Sequence, residues 1–302
     1  MKLLILFLTF FVNNVSFAQI SDLDQSTIDK LYEYEIMKPD CEYLTNRLKT
    51  VDVEYINFDN KLETGKIIVL DSVAKHVEKL FIDLKNINFN VYGVDPFSGF
   101  KMGKFLFWTT KEIDDDYNYT GCFVCKNITL AKNKSIYSFG LGIAINPLMN
   151  PYVGIDLVDK KITLVIPKNG IKHVNRHPVR PNKENRIGMV NKHVVKIFRQ
   201  NGFNIWGGHW DFPINYMQFH TSFQMAKLLI AMTPEDSIKF FDLNVEYLNK
   251  NSERSIHNKD LSDAILEYYF IEPSGKIDKI IAKYNQDKEE FFIDLQDILN
   301  SK

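Results

Sequence analysis

Two stretches of the chain gather the side chains that could do chemistry together. The first is Ser135-Ile136-Tyr137-Ser138-Phe139-Gly140-Leu141-Gly142-Ile143-Ala144-Ile145-Asn146-Pro147, with Asn150-Pro151-Tyr152 just beyond it. The second is Trp206-Gly207-Gly208-His209-Trp210, then Asn215-Tyr216-Met217-Gln218-Phe219-His220. A hydrolytic metal centre needs three protein donors, an open position for water and a base to take that water's proton. His209 and His220 are the histidines best placed to be donors, with Asp211 as a third group. In a strand His220 shares a face with Gln218, two residues before it. His76, His173, His177, His193 and His257 show no ligand spacing. No serine or cysteine stands beside an evident base, and no glycine loop has the form that cradles phosphate. Cys122-x-x-Cys125 has the spacing of a redox or zinc pair, but no second pair and no helix start follow it.

The elements that must hold these groups follow from periodicity. From Gly140 the first stretch alternates, with Leu141, Ile143 and Ile145 on one side and Gly140, Gly142 and Ala144 on the other. The spacing predicts a strand with its bulky face in a core. Its bare face should lie under a ligand, a metal or another backbone. Asn146-Pro147 ends it, because proline cannot donate to a ladder.

Both stretches resemble the zinc peptidases of the D-alanyl-D-alanine carboxypeptidase and L-alanyl-D-glutamate endopeptidase family, which cut peptidoglycan stem peptides. The family motif Ser-x-His-x-x-Gly-x-Ala-x-Asp, continuing Ile-Asn-Pro and Asn-Pro-Tyr, is matched at Ser135, Gly140, Ile145-Asn146-Pro147 and Asn150-Pro151-Tyr152. Its second motif, Trp-Gly-Gly-x-Trp with Asp-x-x-His-Phe, is matched at Trp206, Gly207, Gly208, Trp210 and Phe219. The resemblance puts the three zinc ligands at Tyr137, Ala144 and Gln218, and the general base at Asn215. None of the four is the family's residue. Asn118, Thr120 and Phe123 match a further segment, in which Lys126 replaces an arginine that holds substrate. Lysine keeps the charge and loses the planar fork. The resemblance therefore implies a degenerate relative with no cofactor, binding peptidoglycan peptide through Lys126, Tyr137, Asn215 and Gln218. The alternatives are an active zinc peptidase with ligands relocated to His209 and His220, or an interaction protein working through its tail. Relatives with cysteines at the positions of Cys41 and Cys125 imply a disulfide between these two and a free Cys122. The three cysteines on their own are equally consistent with three buried thiols.

Lys2, the apolar run Leu3–Val12 and the small residues Ser16 and Ala18 read as a signal peptide over 1–18, too short to span a bilayer. That implies a secreted or periplasmic protein, and the lack of a cysteine after the cleavage point argues against a lipid anchor. A formal charge of −1 offers nucleic acid and anionic membranes no attraction.

The expected class is α+β, an antiparallel sheet with flanking helices and a C-terminal helical extension. The divisions are a helical lead-in over 19–39, the peptidase-like domain over 40–222 and the extension over 223–302. Val51–Phe58 and Gly65–Leu70 read as strands about an Asp59-Asn60 turn, followed by a helix over Asp71–Leu84. Ile87–Val94 reads as a strand and Val158–Ile166 as a strand pair. The acidic run Asp114–Asp116 and the basic stretch Pro167–Asn185 read as solvated loops. Helices are expected over Val190–Gln200, Ser222–Met232, from Thr233-Pro234, over Leu261–Phe270, and on either side of Asp287. The apolar faces of the last helices point to packing on the domain.

Overall fold

The computed structural model describes residues 19–97, 115–128, 132–156, 158–159, 161–176, 186–251, 259–269, 271 and 277–300. The leader over 1–18 lies outside these residues, as do His177, Arg180 and Lys183 of the basic stretch and His257. The class is α+β. Among the described residues the strands form three small antiparallel sheets, each of three strands, in place of one.

The first sheet is β1 (Ile20–Asp22), β2 (Leu48–Ile56) and β3 (Leu62–Leu70). β2 and β3 pair along their whole length, from Leu48 opposite Leu70 to Ile56 opposite Leu62. The turn between them forms where expected. Asn57 Oδ1 accepts from the amides of Asp59 and Lys61, and Asn60 takes a φ of 60°, a conformation asparagine tolerates. The lead-in is less helical than its polarity suggested. It holds β1, α1 (Gln25–Glu33) and a 3-10 turn (Pro39–Arg47), and β1 gains its edge by pairing with β2. α2 (Ala74–Asn86) lays Val77, Leu80, Phe81 and Leu84 on the sheet. Residues 87–94 form no strand. Their pairing is limited to single bridges, Asn90 to Ile56 of β2 and Val94 to Thr120.

The second sheet runs β4 (Gly142–Ala144), β9 (Gln218–His220), β7 (Ile205–Trp206). The third runs β6 (Ile162–Ile166), β5 (Tyr152–Ile155), β8 (Ile214–Asn215). The expected pair around Asp159 is thus shifted toward Tyr152. α3 (Lys192–Gln200) is capped by Asn191, whose Oδ1 accepts from the amides of His193 and Val194. It buries Phe198 in a stack on Phe219 of β9, centroids 3.7 Å apart.

Among the described residues that follow are five helices: α4 (Phe223–Ala231), α5 (Pro234–Lys250), α6 (Leu261–Tyr268), α7 (Ile277–Gln286) and α8 (Lys288–Asn300). Their apolar residues, among them Phe240, Phe241, Ile280, Phe291 and Leu295, join the same core as the sheets. Burial of that apolar area is what holds these helices against the sheets. A polar joint sits at the junction. Arg47 donates to both carboxylate oxygens of Asp71, to the carbonyls of Leu229 and Met232, and to Ser237 Oγ. Ser72 Oγ closes the network, with Asp71 Oδ1 at 3.0 Å and Ser237 Oγ at 2.9 Å both within reach of its one proton.

Candidate functional site

The site forms where the second and third sheets meet. β9 lies against β4 with Gly142 opposite His220, Ile143 opposite Phe219 and Ala144 opposite Gln218. Directly opposed residues share a face of the sheet. Gly142, Ala144, Gln218 and His220 therefore present one face, and Ile143 and Phe219 the other, toward α3. β8 ends at Asn215, opposite Tyr152, and after two intervening residues the chain starts β9 in the neighbouring sheet. This brings Asn215 and Gln218 together across the corner, and Asn215 Nδ2 donates to Gln218 Oε1 at 2.7 Å.

The bare face expected from the alternation is real but shorter than the pattern. Gly140 is not in the strand. It caps the 3-10 turn over Ile136–Phe139 with a φ of 65°. What lies over the bare face is a neighbour in sequence. A Cβ on Gly142 would come within 2.9 Å of Ile136 Cγ2 and 3.3 Å of Tyr137 Cδ1. The room left by the missing side chain is taken by Ile136 and the Tyr137 ring, a correction to the expectation of a ligand or another backbone there.

Lys126 joins the group from the segment after Cys125. Its backbone is fixed by Ser138, whose Oγ accepts from the Lys126 amide and donates to its carbonyl. Its ammonium lies over the Tyr137 ring, 4.4 Å from the centroid. Desolvation pushes the Lys126 amine down to about 7. The ring's π face offsets part of that cost. Burial, with Cys122 and Tyr117 nearby, holds the Tyr137 phenol well above its ordinary range. Three buried polar atoms of this corner have no protein partner among the described residues: Tyr137 Oη, Asn215 Oδ1 and His220 Nε2. A buried polar atom left without any partner costs roughly 1–3 kcal/mol, so each of these is placed to take a partner that the chain does not supply.

The histidines divide. His220 is 4% exposed, hydrogen-bonds its Nδ1 to the Thr221 carbonyl and packs against Trp210 and Phe223. Burial pushes its imidazole down to about 4. His209 is exposed and stacks edgewise on Trp206. Among the described residues, the one set of three His, Cys, Asp or Glu donors close enough to share an ion is Asp40, Cys41 and Cys125. There the sulfurs are already joined, with an S–S distance of 2.07 Å, and Asp40 is paired with Lys134. Cys122 is free and buried. Sequence reasoning did not find the Asp40–Lys134 pair beside that disulfide.

The donors over the bare face do not fit zinc. A phenol held above its ordinary range is a poor anion, Ala144 has no donor, and the Gln218 oxygen already accepts from Asn215. Asn215 is an amide and cannot take a proton at neutral pH. The same groups offer hydrogen bonds. The Tyr137 hydroxyl and Lys126 ammonium can donate, and Asn215 Oδ1 can accept.

Over residues 129–221 the chain matches the model of a family described as D-alanyl-D-alanine carboxypeptidase. That span takes in both stretches with the candidate site residues, apart from Lys126, and has the character of a peptidoglycan-peptidase-like domain. No curated protein and no solved structure matches the chain. Among the described residues no helix is long and apolar enough to cross a membrane.

Proposed function

We propose that this is an exported, non-hydrolytic relative of the peptidoglycan peptidases, which binds cell-wall stem peptide at the corner formed by β4, β8 and β9. One observation carries the reading. Tyr137, Ala144, Asn215 and Gln218 supply no ion-gripping set and no base, yet three buried polar atoms there are left for a ligand to satisfy. Lys126 takes the peptide's carboxylate, Tyr137 Oη donates to a carbonyl, and Asn215 Oδ1 accepts from an amide. The test is to incubate purified mature protein with muropeptides, with and without added zinc, and to measure stem-peptide binding by calorimetry. The expected result is binding that a chelator leaves unchanged, with no cleavage. Chelator-sensitive cleavage overturns it.

That outcome would favour the second reading, an active metallopeptidase. Its support is His220, whose buried Nε2 is unpartnered on the face that carries Gln218. In that case His220→Ala abolishes cleavage.

A further inference from the structure

Beside the corner, on the segments that lead into it, two tyrosines stand half exposed. Tyr92 is 45% and Tyr119 is 40% exposed, and their rings meet at 83° with centroids 5.3 Å apart. We propose that Tyr92 and Tyr119 form a saccharide-binding shelf next to the peptide site, taking a pyranose ring of a neutral amino-sugar chain. The proposal rests on the cell-wall reading only for the source of the sugar.

Position is the first argument. The amide and carbonyl of Gly121 exchange hydrogen bonds with those of Ala144, at 3.1 and 2.9 Å. Tyr119 lies two residues back along this segment, roughly 7 Å in extended chain. Tyr92 is tied to the same place, its amide donating to Asn146 Oδ1 at 2.9 Å. Asn146 in turn donates from its own amide to Thr120 Oγ1. A ligand long enough to leave the corner in this direction meets the two rings.

Preorganisation is the second. The rings are set before any ligand arrives. The Thr120 amide donates to the Gly93 carbonyl at 2.8 Å, and Tyr119 lies against Gly93 so closely that a Cβ there would come within 2.7 Å of the ring. Phe58 braces Tyr92 edge to face at 5.6 Å, and buried Tyr117 lies behind Tyr119 at 6.3 Å. Holding exposed aromatics rigid lowers the ordering cost of binding.

Size and chemistry choose the ligand. A tyrosine carries roughly 150–250 Å² of surface to bury, so the exposed part of the pair is on the order of 200 Å². A stable protein partner needs about 800 Å² on each side. Two rings at right angles suit one or two sugar rings instead. The axial C–H face of a pyranose is apolar and stacks on one ring, while its equatorial hydroxyls reach the phenol hydroxyls at the edges. The amides of Asn60 and Asn90, bonded to each other at 3.0 Å, keep the neighbouring rim polar.

The test titrates the folded protein with chitotetraose and, separately, with glycan strands stripped of stem peptide. Wild type is expected to bind both, with NMR shifts at the Tyr92 and Tyr119 rings. Y92A and Y119A should each weaken binding at least fivefold, the double variant should abolish it, and Y119F should stay within twofold. Stem-peptide affinity should be unchanged throughout. Absence of sugar binding by wild type overturns the proposal, as does full binding by a double variant that melts like wild type. If the double variant does not fold, ring shifts on wild type decide, and shifts that miss both tyrosines overturn it. Sugar binding without stem-peptide binding would sink the peptide reading and leave the shelf standing.

Discussion

The joint at Arg47 and the corner at Tyr137 are both polar places inside an apolar core, and they are finished differently. At the joint each hydrogen bond of the arginine is met, and Asp71, Ser72 and Ser237 bond among themselves. At the corner three buried atoms have no protein partner among the described residues. Native proteins pair nearly all buried polar groups, so a closed set is structure, whereas the unpaired atoms of the corner, like Asn201 Oδ1, Asn244 Nδ2 and Asp260 Oδ2 elsewhere, are left to partners that the chain does not supply. The joint ties Leu229, Met232 and Ser237 of the C-terminal helices to Arg47, and the corner is where the proposed ligand sits.

That contrast can be broken at four points. Arg47→Ala should cost about 3–5 kcal/mol in urea unfolding, because it strands the buried Asp71 carboxylate. A loss under about 1 kcal/mol would make the joint ornamental. The second point is acid. The folded His220 imidazole, at about 4, refuses a proton that the unfolded chain takes up near 6.5. Its contribution is intact above about pH 6.5 and is lost as pH falls toward 4, by as much as about 3 kcal/mol. Asp263 on α6 works in the opposite sense. Desolvation, with Asp260 beside it, pushes its carboxyl up to about 6, so its contribution grows as pH falls through the same window. Subtracting the profile of His220→Asn from that of wild type isolates the histidine, and a flat difference removes it from the corner.

The third point is Lys126. Only its ammonium attracts a carboxylate, and the ammonium fraction falls tenfold per pH unit above about 7. Stem-peptide affinity should decline from there, and Lys126→Met should bind weakly with no such slope. The smallest effect is at Tyr137. Removing an unpaired buried hydroxyl by Tyr137→Phe should raise stability, by about 1 kcal/mol. Calorimetry should nonetheless show weaker peptide binding. A large loss of stability would mean that the hydroxyl is bonded after all and the contrast is false.

What was legible in the chain was local. The helix ending at Gln200, the Thr233-Pro234 helix start and the Asp59-Asn60 turn each form from neighbours a few residues apart, although the Asn191 cap that starts that helix was not read. Strands of two or three residues such as β1, β7 and β8 were not, since a distant partner makes them strands. Ile87–Val94 shows the reverse error: its apolar residues suit a ladder, but only isolated bridges are on offer. The grouping of Tyr137, Ala144, Asn215 and Gln218 came from the resemblance, and spacing alone would not have joined residues from two sheets. Gly142 was read correctly as bare, yet its occupant is the Ile136-Tyr137 pair from the adjoining turn. The joint and the tyrosine shelf left no trace in any local pattern, since Arg47 meets Ser237 190 residues away.

The bond between Cys41 and Cys125 fixes the residue that immediately precedes Lys126, and the Cys125 amide is further tied to the Ile36 carbonyl. The lysine is thus presented from a stapled strap. Material expressed in a reducing cytoplasm would carry that strap unfastened, and ligand assays on it would interrogate a different molecule from the oxidised one.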